Sequence, residues 1–335
     1  METIIRCLKE TQYNWVVTGA AGFIGSHLCE FLLQHGQRVK GIDNFQTGSK
    51  ENIRLLSEEI DQNNCFTFHN IDIRAYDQIA TCIQDADFIL HQAALGSIPR
   101  SIENPLFSHD INVTGTLNVF DAYRQAPRAK ALVYASSSAV YGNAPALPKR
   151  EDHVGQPLSP YAVTKQTNEL YAHAYANTYD KSFVGLRYFN VFGPRQSPEG
   201  AYAAVIPLWI QAVKTGQAMK VHGDGSTTRD FCYIDNVVFA NIAAALSETT
   251  GSHVYNVACG ERISLNDLAL TLNTFSSHVD VPVVHGAFRA GDIQHSLADI
   301  TAISHDLGYH PLVHVHEGLE KTYAAYGSAK DLNHD

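Results

Sequence analysis

The sequence predicts an α/β fold: a doubly wound parallel sheet with an interleaved smaller region toward the C-terminus. Three observations carry this. Short apolar runs of strand length alternate with helical stretches as far as Asn190. A glycine-rich turn joins the first of those runs to the first long helix, and beyond Asn190 glycines and prolines break the alternation.

The strand runs are Trp15–Thr18, Arg38–Ile42, Cys65–Phe68, Phe88–His91, Ala131–Ala135 and Phe183–Leu186. Most intervals between them suit a crossover helix, the connection that parallel strands need. Helices are expected over Ile24–His35 (stopped by Gly36), Asn112–Arg124 and Tyr161–Asn177. Gly193, Pro194, Pro198, Gly200, Gly223 and Gly225 then mark a loop-rich stretch. Asp235–Leu246 and Val254–Ala258 read as a helix and a strand returning to the main sheet. The expected division is therefore a nucleotide domain over 1–190, rejoined by 229–258, and a substrate-binding region over 191–228 and 259–335. There is no internal repeat and no low-complexity linker.

The chain has 335 residues, 45% hydrophobic and 17% charged, which is ordinary for a globular protein with a sizeable core. A formal net charge of −10 argues against general binding to nucleic acid or anionic membranes. Met1–Asn14 has no apolar signal region, and no apolar stretch is long enough to span a bilayer. The six cysteines show no C-x-x-C spacing, so reduced thiols in a cytoplasmic protein are expected. His310, His314 and His316 lack companions at metal-binding spacing, and no metal is expected.

Val16-Val17-Thr18-Gly19-Ala20-Ala21-Gly22-Phe23-Ile24-Gly25 is a strand entering a glycine turn and then a helix. The glycines allow a tight turn and close backbone approach, and the helix N-terminus offers N–H groups to a pyrophosphate, as in a Rossmann-type dinucleotide site. Asp43 ends the second run, where a carboxylate accepts from ribose hydroxyls and repels a 2′-phosphate, favouring NAD over NADP; a turn aspartate before Asn44 is the other reading. Asp72 suits either an adenine contact or a helix N-cap.

Tyr161 and Lys165 lie four residues apart in Pro160-Tyr161-Ala162-Val163-Thr164-Lys165, hence on one helix face. A free phenol has a pKa of about 10, too high for a base at neutral pH. A fixed ammonium nearby is expected to lower it, and reaching neutrality requires roughly 4 kcal/mol of preferential stabilisation. The upstream cluster Ser136-Ser137-Ser138 could supply a hydroxyl to hold the substrate oxygen.

Together with TGAAGFIG, HQAALGS-IPRS, ASSSAVYG, LSPYAVTK, GLRYFNVFGPRQ and GDIQHSLADI, these motifs resemble the extended short-chain dehydrogenase/reductases, specifically nucleotide-sugar 4-epimerases. The resemblance runs from Trp15 to Tyr309 and leans toward bacterial enzymes acting on UDP-N-acetylglucosamine in polysaccharide synthesis, a group that also includes enzymes of the corresponding uronic acids. It implies bound NAD, removal of the sugar 4-hydroxyl proton by Tyr161, transient oxidation at C4, and hydride return to the opposite face. UDP-GlcNAc and UDP-GalNAc are the expected substrates, with the uronic-acid pair as the alternative; UDP-glucose, or an NAD-sensing protein without turnover, is less expected.

The resemblance also implies the site residues. Gly19, Gly22, Phe23, Ile24, Gly25, Asp43, Asn44, Gly48, Asp72, Ile73, Gln92, Ala93, Ala94, Asn112 and Tyr188 would hold NAD beside Tyr161 and Lys165. Ser137 matches the usual serine or threonine position, with Ser138 its neighbour. Related dehydratases and decarboxylases carry acids just after that serine, where this chain has Ser138 and Ala139, so elimination is not expected. Arg229 and Arg289 resemble diphosphate-binding arginines, whose guanidinium forks suit phosphate oxygens. Asn190 resembles a diphosphate or sugar contact, or else caps a turn. Ala204, Val205, Lys220, Val221 and His222 resemble uridine-contacting segments. In the Gly291-Asp292 segment, Ser296 stands where enzymes restricted to plain hexoses can carry tyrosine, leaving room for a 2-acetamido group. Ser97 and Arg100 would flank the sugar, and Arg100 could attract a C6 carboxylate or pair with Glu103. A homodimer is expected through helices near Ser101–Arg124 and Tyr161–Asn177.

Overall fold

The computed structural model describes residues 2–198, 203–276, 281–288 and 294–327. In chain order its strands are β1 (Asn14–Thr18), β2 (Arg38–Asp43), β3 (Phe66–Asn70), β4 (Phe88–His91), β5 (Ala131–Ser137), β6 (Ser182–Tyr188), β7 (Val191–Phe192), β8 (Met219–His222), β9 (Thr228–Arg229), β10 (Cys232–Tyr233), β11 (Ser252–Val257), β12 (Ile263–Ser264) and β13 (Val283–Gly286). Seven of them form the central sheet in the order β11-β6-β5-β4-β1-β2-β3, every pair parallel. The strand order reverses between β1 and β4, which opens a crevice at their carboxyl ends. This is the Rossmann-type α/β architecture expected from the sequence.

The strands are near-continuous apolar runs because both faces of the sheet are covered. In β4 all four residues are buried. Val17, Val133, Val184 and Leu186 pack with helices Phe23–Gln34, Val205–Thr215 and Ile234–Leu246 on one face. Val16, Ile89, Leu132, Tyr134 and Phe183 pack with helices Tyr76–Ile83, Thr116–Gln125 and Pro160–Tyr179 on the other. Three short strand pairs, β7–β10, β9–β12 and β8–β13, lie outside the sheet. Among the described residues no helix is long and apolar enough to cross a membrane.

Two local differences from the sequence expectation stand out. The third strand ends at Asn70 rather than Phe68, because it pairs along β2 as far as Asp43. The N-terminus forms a helix, Glu2–Glu10, that buries Leu8 in the main core. The fully buried Gln37 anchors it. Its amide donates to the Leu8 and Thr11 carbonyls, while its oxygen accepts from Tyr13 N and from Trp15 Nε1. Replacing it strands several buried partners at a cost of about 1–3 kcal/mol each. Gln37→Leu is therefore expected to lower the urea midpoint of the purified protein by an amount equivalent to about 2–3 kcal/mol, with an unchanged midpoint excluding the clamp.

Candidate active site

The crevice at the carboxyl ends of β1, β2 and β4 opens into a cleft of about 510 Å³, within the range of ~300–1,000 Å³ typical of small-molecule sites. Its floor is the turn between β1 and helix Phe23–Gln34. Gly19 adopts φ +73°, and a Cβ there would lie 2.8 Å from Ala93 N. At Gly25 a Cβ would lie 2.0 Å from the Gly19 carbonyl oxygen, so the turn closes only without a side chain. Gly22 caps the helix with no side-chain hydrogen bond, which leaves its first N–H groups facing the cleft for an anion. Phe23 and Ile24 line the wall beside it.

Asp43 supports this turn from β2. One carboxylate oxygen accepts from Ala21 N at 3.0 Å and the other from Phe45 N at 2.7 Å, while burial raises its pKa. Asn44 donates to Asp72 at 2.9 Å. Asp72 does not cap the following helix. It pairs with Arg74 at 2.7 Å, which pulls its carboxyl down to about 2, and it stays on the cleft wall with Ile73. Gly48 lies outside the cleft. A Cβ there would meet the Ala21 methyl at 2.6 Å, so the glycine lets its loop pack on the turn.

On the β4 side, Gln92, Ala93 and Ala94 line the cleft, and Ala93 N donates to Thr18 Oγ1. Gln92 is fixed from behind by Tyr188 and Asn241. Tyr188 is thus a buried support whose phenol burial pushes well up. Asn112 is likewise buried and pins Leu95 through both its N–H and its carbonyl. These two hold the wall rather than form it. Residues that motif reading passed over also line the cleft, among them Gln46, Thr47, Leu95, Gly96, Gln196 and Ser197. The turn from Asn44 to Gly48 and the run after Gly193-Pro194 were the signals available for four of them.

The residues proposed for proton transfer gather at the end of β5. Helix Pro160–Tyr179 starts there because Ser159 caps Ala162 N, Pro160 fills the first turn, and the Ser101 hydroxyl accepts from Tyr161 N. Ser137 lies near enough to the Tyr161 phenol to favour the phenolate, and its hydroxyl accepts from Ala139 N. Ser136, on the opposite face of the strand, turns away to Glu169 at 2.5 Å. Ser138 opens the short turn Ser138–Tyr141.

One expectation is corrected here. Lys165 does not bring the phenol down in the chain alone. Its ammonium donates to the Ala135 carbonyl at 2.8 Å and stands 5.8 Å from the centre of the Tyr161 ring. Burial keeps Tyr161 above its usual value and depresses Lys165 to about 8. Desolvation, which opposes either charge, outweighs the spacing.

The sugar-side residues are more dispersed. Ser97 caps a short helix through Arg100 N, and both line the cleft, with Arg100 exposed. Ala204 lines it at the start of helix Val205–Thr215, and Val205 is half-buried. Asn190 donates to the Asp230 carbonyl and adopts φ +29°, in keeping with its turn reading. On β8, Val221 is buried while Lys220 and His222 are exposed. Arg229 donates to the Thr228 and Gln294 carbonyls. Ser296 N donates to Thr228 O, so the segments bearing Arg229 and Ser296 run side by side. Arg289 and Asp292 lie outside the described residues. Among the described residues no group of three or more His, Cys, Asp or Glu is arranged to hold a metal ion.

Residues 15–258 match the NAD dependent epimerase/dehydratase family. The chain is 37% identical to a UDP-glucose 4-epimerase of Mycolicibacterium smegmatis over 92% of this chain and 96% of that one. A UDP-N-acetylglucosamine 4-epimerase from Methanobrevibacter ruminantium, solved with UDP-N-acetylmuramic acid, superposes with a TM-score of 0.88 at 36% identity, covering 94% of this chain and 98% of the other. A UDP-glucuronic acid 4-epimerase from Bacillus cereus, solved with UDP-glucuronic acid and NAD, gives 0.84 at 31% identity, over 93% and 98%.

The uncapped helix start and the glycine cradle make the cofactor test direct. Gly25→Ala is expected to purify with little NAD while the wild type carries it near-stoichiometrically, read as nucleotide released on denaturation. Equal contents would remove the glycine turn from the cofactor site.

Proposed function

The chain belongs to the NAD-dependent epimerase/dehydratase family and is a nucleotide-sugar 4-epimerase working with NAD; on that premise we propose that it interconverts UDP-GlcNAc and UDP-GalNAc. Ser296 carries this reading. It is a small, buried residue on a segment strapped to the strand of Arg229, where a bulky side chain would occupy the room a 2-acetamido group needs. The methanogen enzyme named for the same sugar supports it. In this reading residues 191–228 and 259–335 form the substrate-binding region, the task is surface-polysaccharide supply, and the unpaired state of all six cysteines suits the cytoplasm.

NAD, when bound, supplies the hydride acceptor for C4 and gives the hydride back. The glycine turn and the helix start hold its pyrophosphate, and Asp43 accepts from the ribose and disfavours a 2′-phosphate. The Tyr161 oxygen takes the 4-hydroxyl proton and later returns it, Ser137 orients that oxygen, and the Lys165 ammonium favours the phenolate. Ser138 and Ala139 offer no acid for elimination, so the 4-keto sugar is simply reduced again on its other face. Arg229 and Arg289 would clamp the diphosphate, Asn190 and Asp292 would lie beside it, and Ala204, Val205, Lys220, Val221 and His222 would frame the uridine.

A uronic-acid substrate is the second reading, favoured by Arg100 on the cleft wall. We also propose a homodimer. Ile102 on the short helix Ile98–Glu103, Leu106 on the short helix Pro105–His109, and Val163 and Leu170 on helix Pro160–Tyr179 are exposed by 63%, 82%, 48% and 68%, and packing of this face on its copy in a second chain would bury them.

Incubated without added cofactor, the protein is expected to bring UDP-GlcNAc to a mixture with its 4-epimer faster than UDP-GlcNAcA. The reverse ranking would favour the uronic acid, and turnover of neither would overturn the assignment. Ser296→Tyr is expected to depress turnover of the acetamido sugar at least ~10-fold more than that of UDP-glucose, in the range of pocket-size discrimination; equal losses would remove Ser296 as the size gate. Light scattering should give twice the chain mass, and Leu106→Lys with Leu170→Lys should halve it.

A further inference from the structure

The proton-transfer helix carries a buried acid that the mechanism above does not use. Glu169 lies one turn beyond Lys165, with its side chain only 11% exposed. Its carboxylate accepts from Ser136 Oγ at 2.5 Å, from Arg187 Nε at 2.9 Å and from Arg187 Nη2 at 2.8 Å. Ser136 and Arg187 are register partners on β5 and β6. Glu169 therefore bridges two neighbouring strands at the level where Lys165 binds the Ala135 carbonyl. Tyr161, Lys165 and Glu169 form one row on the helix, and each reaches β5 between Ala135 and Ser137.

We propose that Glu169 is a positioning residue for the proton-transfer site: its carboxylate holds Lys165 as the ammonium and locks the helix in register on β5, so that Tyr161 meets Ser137. The proposal rests on the epimerase reading above.

The charges around Lys165 can be counted by element. Its own helix contributes Tyr161 and Glu169. β4 contributes His91, which burial and the ammonium hold down near 3 and hence neutral. β5 contributes Tyr134, which burial keeps protonated, and β6 contributes the Arg187 cation. The segment 110–116 faces the helix with the neutral Asn112 and Thr116. Glu169 is thus the carboxylate whose field opposes the burial of Lys165, and it raises the ammonium's pKa. Arg187 extends the clamp to the Tyr141 hydroxyl and the Glu151 carbonyl, and Tyr141 to Asn256.

An ammonium is present below its pKa and lost above it, so removing the Glu169 charge moves that loss to lower pH. In Glu169→Gln, the Lys165 signal in lysine-Cε-labelled protein, assigned with Lys165→Arg, should titrate about one pH unit lower. The alkaline fall in kcat/KM should move with it. Glu169→Asp, which keeps the charge, should restore the titration. A uniform drop in kcat with an unmoved titration would make Glu169 a packing residue only and overturn the proposal. If the unpaired guanidinium unfolds the single variant, Arg187→Gln compared with Glu169→Gln/Arg187→Gln repeats the measurement without it; an identical Lys165 titration in that pair is also an overturning result. The titration needs no turnover, so a wild type that fails to epimerise would sink the epimerase reading and leave the Lys165 result standing.

Discussion

The grip of helix Pro160–Tyr179 on the end of β5 is the contact on which the proposed proton-transfer geometry depends. Strand β5 lies in the middle of the parallel sheet, paired through its length with β6 and through its first half with β4. It is thereby among the least movable elements of the fold. The helix is fixed to it by polar groups at Ala135, Ser136 and Ser137 and by apolar packing of Ala172 and Ala176 against the sheet. Positioning by regular elements suits proton transfer, whose rate falls steeply with small misplacements. The loops around the cleft can differ without disturbing the pair held between this helix and β5.

That rigidity has an electrostatic cost. Burying Tyr161 and Lys165 raises the phenol and lowers the ammonium, so burial alone pushes both toward neutral forms. Ser137 and Glu169 push the other way, one on each member of the pair. Without ligands burial holds the phenol above its usual value, and in the proposed mechanism charge and hydrogen bonds brought in with the ligands would tip the balance.

The main sheet was legible in the sequence because parallel strands covered on both faces are apolar throughout, and because glycines are required where Gly19 and Gly25 nearly touch. The N-terminal helix was missed although Ile4 and Leu8 lie one turn apart, since its stability comes from Gln37, far along the chain. The roles of Ser136 and Ser137 could have been separated by strand alternation: Ser136 shares a face with Leu132 and Tyr134, which pack under the helix. The spacing of Tyr161 and Lys165 was visible, but its effect on the phenol was not. A helical spacing says which side chains are neighbours, whereas the pKa depends on how much water both have lost. Gln196 and Ser197 follow the Gly193-Pro194 turn, which marks a loop in the sequence but does not say that the loop reaches the cleft.

The proposed sugar pocket depends on the same kind of support. Ser296 sits on a segment tied at several points: Ser296 N to Thr228 O, Lys149 N to Leu297 O, Asp299 N to Lys149 O, and Ala298 N to the Asp230 carboxylate. Asp230 also accepts from Cys259 N and Gly260 N, so one fully buried carboxylate joins the Arg229 strand to two other segments. A wall strapped in this way cannot retreat to make room for a larger side chain, nor collapse inward to fill the space a smaller one leaves. In the proposed sugar pocket, the space left by a serine would therefore be a fixed dimension. A residue's size can act as a gate only where the backbone carrying it is held, and the hydrogen bonds around Ser296 provide that condition.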